Sequence, residues 1–488
     1  MSDDPKRPIL VLLFSHWVSM LGVVLVTTAG FSWLFVLPMQ LRGHASNPYI
    51  GIVVFIVIPI IFILGLVLIA LGVFLARRRI ESTEEALLAA ADRRAFIRRL
   101  ATFFAITTAA NIIIGTQGTY RAVQHMETPQ FCGQSCHVMK PEFAAHENSP
   151  HARVECVDCH VAPGAAGWVA SKMAGTRQLR DVVFHRVQYP IESAMESNRL
   201  VPSRGTCEQC HWPQKFDSAK LRVIYHFQDD ATNTQTQTVL MMLTGGGDLG
   251  GIHGKHMGPG VEISYANADP KRQTIPWVEY RNRNTSEVRT FLADGATVQS
   301  VASLPRQVMQ CVDCHNRPTH SFELPERAVD TAMGLGRISP TLPFIKKKAV
   351  ELLKAKYSSN EEASRIIPAT LAGFYQQNYP AISSQRPGDI STAGSEVAVI
   401  YNRNVFPDLK VTWGTYPNNL GHTDFPGCFR CHDGSHSTSD KKMTITQDCN
   451  SCHEPLAVEE ADPGVLKTLG LAERIASLQK QQGKGPSQ

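Results

Sequence analysis

At 488 residues, 43% of them hydrophobic and 19% charged, the chain is long enough for several domains and a sizeable buried core. A formal net charge of +5 is too small to point to nucleic acid. Twelve cysteines leave disulfides, zinc or haem to be decided between.

The apolar residues gather before about residue 120. Residues 9–38 form a run long enough to span a bilayer, with His16 inside it read as a helix–helix hydrogen-bonding residue. Residues 49–76 form a second run, interrupted only by Pro59, and 96–119 a weaker third. The 77–99 segment carries Arg77, Arg78, Arg79, Arg93, Arg94, Arg98 and Arg99, whereas the 39–48 loop has only Arg42. The positive-inside rule puts the arginine loop and the N-terminus in the cytoplasm and everything after about residue 124 on the opposite side. The first run lacks a small-residue cleavage site and reads as a retained anchor.

The twelve cysteines fall into six close pairs, each followed by histidine: Cys132, Cys136 and His137; Cys156, Cys159 and His160; Cys207, Cys210 and His211; Cys311, Cys314 and His315; Cys428, Cys431 and His432; Cys449, Cys452 and His453. With 18 histidines in 488 residues, six such coincidences have odds on the order of one in a billion. Neither a disulfide nor a zinc site requires that histidine. Haem c does, because two thioethers fix the porphyrin edge and the adjacent imidazole reaches the iron. The sequence therefore predicts six covalently bound haems on the outer face of a bacterial inner membrane.

Haem density divides the remainder. Residues 1–123 are the anchor, 124–215 a three-haem domain, and 216–310 a haem-free insert. Period-two segments such as LRVIYHF, VEISYA and TIPWVEY make that insert β-rich. Residues 311–460 carry three further haems and a helical segment at 322–383, with a start signal at Ser359, and 461–488 read as a polar tail. The expected fold is thus a membrane-anchored multihaem cytochrome: transmembrane α-helices, then an irregular, α-rich, haem-organised region with a small β-rich insert.

A haem that only carries electrons has both axial positions filled, whereas a catalytic haem leaves one open. Histidines exceed the demand. His151, His185, His320, His422 and His436 lie in loops near the motifs and are candidate distal ligands. His253 and His256, in the glycine-rich GGIHGKHMGPG, are further candidates because glycine lets backbone approach a flat cofactor. For each, the competing reading is a solvated surface histidine. The first motif departs from the rest: three residues separate Cys132 from Cys136, and Met139 follows His137 at the second position. The extra residue shifts His137, and Met139 is the candidate replacement on the iron.

The stretch FCGQSCHVMKPEF…HENSPHARVECVDCHVAPG, directly after an apolar helix, resembles the NapC/NirT family of membrane-anchored quinol dehydrogenases over roughly residues 100–215. The resemblance implies a methionine-ligated first haem beside a quinol pocket at the membrane surface, with Met139 in the ligand position. It also implies a pocket lined by a lysine and an acid after the second haem, positions matched by Lys172 and Asp181. The chain departs from the pattern in the spacing of its first motif, in two extra spans, and in a longer region after 215 with three more haems. That larger layout looks like the ImcH-type inner-membrane cytochromes of metal-respiring bacteria. Quinol oxidation needs a nearby one-electron acceptor and a proton acceptor beside the hydroxyl, roles open to the first haem and to Asp181, with Lys172 on the second oxygen. The expected function is menaquinol oxidation, with electrons passed along the haems to periplasmic cytochromes or a reductase in anaerobic or metal respiration. The expected partners also include membrane lipid, and a homo-oligomer is compatible with the sequence. A second reading is a terminal reductase of a small oxyanion, with the site near 245–260, Lys255 and Arg272. A third is a docking or assembly subunit, which six haems disfavour.

Overall fold

The computed structural model of the chain describes residues 16–41, 56–79, 117, 120–196, 200–212, 216, 219–246 and 250–475. It divides into two units, Met1–Ser135 and Cys136–Gln488.

In the first unit, α1 (Trp17–Leu41) and α2 (Ile58–Arg79) pack as an antiparallel pair. Small residues let the backbones touch. A Cβ built on Gly22 would lie 2.6 Å from the Gly65 carbonyl oxygen, and one on Gly72 would lie 2.2 Å from the Ser19 nitrogen. In lipid, where apolar burial drives nothing, such contact is what holds helices together. The first expected span is α1, which continues through Pro38 to Leu41. In the second, Pro59 falls in the first turn of α2, where its missing N–H costs nothing. Among the described residues, Ile58–Leu75 is long and apolar enough to cross a membrane. The expected third span, 96–119, lies outside the described residues except for 117.

The second unit opens with short helices: α3 (Lys140–Glu147), α4 (Cys156–His160), α5 (Gly164–Val183) and α6 (Ser203–Cys207). The period-two segments then form strands β1 (Lys220–Phe227) and β2 (Gln235–Met242), followed by α7 (Gly251–Met257). β3 (Val261–Ala266), β4 (Trp277–Asn282), β5 (Glu287–Leu292) and β6 (Arg306–Val308) make an antiparallel sheet of order β5-β4-β3-β6. The insert is therefore two sheets, and one of them is not closed within 216–310. β2 pairs with β7 (His453–Glu460), giving the order β1-β2-β7, so the last motif is stitched to the insert.

α8 (Cys311–Cys314) precedes a haem-free helical bundle of α9 (Pro325–Gly334), α10 (Ile345–Lys354), α11 (Asn360–Asn378), α12 (Pro380–Gln385) and α13 (Pro387–Asn404). Its core includes Ile338, Leu342, Ile345, Leu353, Ile367, Leu371 and Ile400, all fully buried. The Ser359 hydroxyl accepts the Glu362 N–H at 3.1 Å, capping α11 as its sequence predicts. The helical region runs beyond 383, because α13 starts with Pro387 in its first turn after the Arg386 cap. Gly394 of α13 fits against Pro368 of α11, where a Cβ would come within 2.9 Å of the proline Cα. The expected tail is shorter than 461–488: α14 (Gly464–Thr468) buries Leu466 in a cluster with Val239 and Ala457.

Candidate cofactor site

The motifs at 156–160, 207–211, 311–315 and 428–432 each close a tight turn. In α4 and α8 the aspartate of Cys-Val-Asp-Cys-His closes a capping box. Asp158 accepts the Glu155 N–H at 3.2 Å, and Asp313 accepts the Gln310 N–H at 2.7 Å. The histidine N–H then donates to the carbonyl of the first cysteine: His211 to Cys207 at 2.8 Å, His315 to Cys311 at 2.8 Å and His432 to Cys428 at 3.0 Å. A four-residue step puts first cysteine and histidine on one face of the turn.

Five of the six motif histidines face a second histidine from elsewhere in the chain. Ring centres are 6.2 Å apart for His160 and His320, 6.0 Å for His211 and His151, and 6.2 Å for His315 and His253. They are 5.8 Å apart for His432 and His256, and 6.1 Å for His453 and His422. Two imidazoles on one metal, each with a bond of about 2 Å and a further ~1 Å from nitrogen to ring centre, stand roughly 6 Å apart. The residues present fit iron held between paired imidazoles.

Hydrogen bonds at the other ring nitrogen support that fit. Nδ1 of His320 lies 2.9 Å from the Glu142 carbonyl, that of His253 2.6 Å from Thr244, that of His256 2.8 Å from Ile252 and that of His432 2.9 Å from Thr446. A carbonyl at Nδ1 fixes the tautomer and leaves Nε2 as the ligating atom. Burial pushes the His160, His256, His315 and His320 rings toward the neutral form, the one that binds metal.

Two distal candidates stand apart. His185 follows α5 in the left-handed region (φ 51) and is exposed; among the described residues it pairs with no motif histidine. His436 is buried, with Nε2 2.6 Å from the Ile275 carbonyl and Nδ1 facing Ser435 and Asp433, a bracing role in the β3–β6 region. In the first motif, His137 Nε2 lies 3.2 Å from an Asp408 carboxylate oxygen, while Met139 ends the same 3-10 turn.

Successive motifs touch. α4 packs against α6, and α6 against α8. Ser203 N–H donates to the Gln310 side chain at 2.9 Å. The Phe216 ring lies 6.5 Å from His211 and 4.9 Å from His253. Arg430 donates to the Asp313 carbonyl at 2.6 Å, and Phe429 stacks on His422 at 4.2 Å. The motifs from 156 to 453 thus follow one another in space as in sequence. Phe216, Phe429, Arg430 and Glu142 carry these contacts, and no spacing rule marks them in advance.

Lys172 and Asp181 are not brought together. Nine residues apart on α5, they lie on opposite faces of the helix. Lys172 Nζ sits 5.4 Å from the Trp168 ring centre, and Asp181 pairs with Arg180 at 2.9 Å. α5 itself buries no residue, and Trp168, Val169, Met173, Leu179 and Val183 of one side are exposed. Arg272 is buried, bonded to Asp313 at 2.7 Å and to the Tyr265 hydroxyl at 3.1 Å. Lys255 is exposed on α7.

Residues 96–202 match the NapC/NirT cytochrome c family, N-terminal region. The chain is 40% identical over 447 residues to the cytochrome c-type protein ImcH of Geobacter sulfurreducens, covering 90% of this chain and 87% of that one. It is 28% identical over 117 residues to the cytochrome c nitrite reductase subunit NrfH of Nitratidesulfovibrio vulgaris, 23% of this chain and 70% of that one. It is also 28% identical over 109 residues to the cytochrome c-type protein TorC of Escherichia coli, 19% of this chain and 28% of that one. No solved structure matches.

Proposed function

The chain belongs to the membrane-anchored multihaem cytochromes c of the ImcH type, and on that premise we propose that it oxidises a quinol at the membrane and relays the electrons outward. Bound haem c supplies reversible one-electron storage at each attachment site. The observation that carries the reading is the set of five histidine pairs. His160 with His320, His211 with His151, His315 with His253, His432 with His256 and His453 with His422 are the proposed axial pairs. With both sides of these five sites filled, their residues suit electron transfer rather than substrate binding. Met139 is the proposed ligand of the first site, because His137 Nε2 is turned to Asp408.

Contact between successive motifs favours a single relay from the 156–160 motif to the 449–453 motif. Entry is proposed beside α5, whose exposed apolar side holds Lys172 among Trp168, Leu179 and Val183. A face of that kind suits the membrane interface, and the Lys172 ammonium is placed to donate to a quinol oxygen there. Asp181 does not share that wall, so the reading drops it as the partner of Lys172. The basic end of α2 at Arg77–Arg79 supports a cytoplasmic arginine loop and a periplasmic second unit. Menaquinol and periplasmic cytochromes or a reductase are the proposed partners. The oxyanion-reductase reading loses its support: Arg272 is committed to Asp313, and both histidines of α7 face motif histidines.

Reduction by a menaquinol analogue against reduction by dithionite tests the entry site. Lys172→Ala should slow the first about tenfold to a hundredfold, the loss of a charge-assisted hydrogen bond, and leave the second unchanged. Equal quinol rates in variant and parent would remove Lys172 from the pocket.

A further inference from the structure

Two distal histidines of different sites sit on one turn of one short helix. His253 and His256 are three residues apart on α7, which places their Cβ atoms about 5–6 Å apart. His253 faces His315 with its ring nearly parallel (4°), while His256 faces His432 at 58°.

The hydrogen bonds make the two orientations interdependent. The Ile252 carbonyl, which braces His256 Nδ1 at 2.8 Å, belongs to the peptide unit whose N–H is that of His253. That N–H donates to the Gly245 carbonyl at 3.0 Å, and His253 Nδ1 donates to the Thr244 carbonyl at 2.6 Å. The Ile252 N–H in turn donates to Leu243 at 2.9 Å. One peptide plane, clamped to the end of β2, thus positions both rings. The clamp has no slack. A Cβ on Gly245 would lie 2.2 Å from the Gly250 oxygen, and Gly250 and Gly251 hold φ of 75° and 85°.

The opposite walls of the two sites are joined as well. Arg430, inside the 428–432 motif, donates one guanidinium nitrogen to the Asp313 carbonyl at 2.6 Å and the other to the Arg272 carbonyl at 2.8 Å. Asp313, inside the 311–315 motif, is itself fixed by Arg272 and Tyr265. The remaining pairs draw their distal histidines from separate segments: His151 follows α3, His320 follows α8, and His422 precedes the 428–432 motif.

We infer that α7 and Arg430 lock the 311–315 and 428–432 sites into one coupled unit, so that a change of ligand at either is felt at both. The inference rests on the axial-ligand assignment above. Its test uses the full-length, haem-loaded protein in detergent, fully oxidised so that neighbouring redox states do not differ, and reads low-spin electron paramagnetic resonance g-values, which respond to the angle between axial rings. His256→Met should replace one low-spin signal and shift a second, that of the near-parallel His253–His315 pair. His320→Met, outside this pair of sites, should replace one signal and shift none. Arg430→Gln keeps every ligand and should shift the same two signals as His256→Met, which serves should that variant fail to mature. If His256→Met replaces one signal and Arg430→Gln shifts none or one, the coupling is refuted while the ligand assignment stands. If His256→Met leaves all signals unchanged, the ligand assignment fails and the inference with it.

Discussion

The haem-free bundle 325–404 and the motif-bearing stretch 150–211 are held together by different means. In the bundle, each principal helix turns an apolar stripe inward, and Ala328, Ile345, Leu353, Ile367, Leu371 and Val397 are fully buried. In 150–211, α4 and α5 bury nothing, and α6 buries only Ser203, whereas α3 just before them packs Ala145 against Phe322 and Phe406. There the side chains are arranged around the places where His160, His211, His151 and His320 meet. Apolar burial shapes the first region, and the proposed haem attachment with paired imidazoles would shape the second.

The largest expected effect separates the two outright. Chain produced without haem attachment should lose the 150–211 stretch to limited proteolysis while the 325–404 bundle survives as a resistant fragment. Equal digestion of both would show that the stretch has a core of its own.

A smaller effect stays within the bundle. Lys346 is buried, donating to the Glu326 carbonyl at 2.9 Å and forming an ion pair with Asp330. Lys346→Met would leave the Asp330 carboxylate buried without its cation, a loss of about 3–5 kcal/mol in denaturant unfolding. Haem absorption should be unaltered, and a spectral change would mean that the two regions are not independent. The smallest effect is at a helix end. Ser359→Ala removes the α11 cap and should lower stability by about 1 kcal/mol, again with no change in the haem spectrum.

This contrast also explains what the sequence made legible. The six proposed attachment motifs stand out from one-dimensional spacing because a covalent haem would need its cysteines and histidine in one turn. The strands at 220–227, 261–266 and 277–282 could be read because alternation maps onto a half-buried sheet. The proposed histidine pairs were harder, since only tertiary folding brings His320 to His160 or His422 to His453. Nearness to a motif recommended His436, yet its ring braces Ile275. Glycine neighbours recommended His253 and His256, and those two reach motif histidines because the glycines permit the tight clamp on β2. α13 lies beyond the segment expected to be helical, because Pro387 and Gly388 are poor helix formers that are tolerated here in a first turn. β7 was hidden because its partner lies over two hundred residues away.

The central claim is that five sites are each held by two imidazoles, and the electron paramagnetic resonance spectrum of the fully oxidised protein, with haem counted by mass, tests it most directly. The account predicts six haems and only low-spin iron at the five paired sites. Their g-values should be spread, from the near-parallel His253–His315 (4°) and His422–His453 (23°) pairs to the steep His256–His432 (58°) and His151–His211 (73°) pairs. A stoichiometric high-spin signal from any site beyond the first would contradict it.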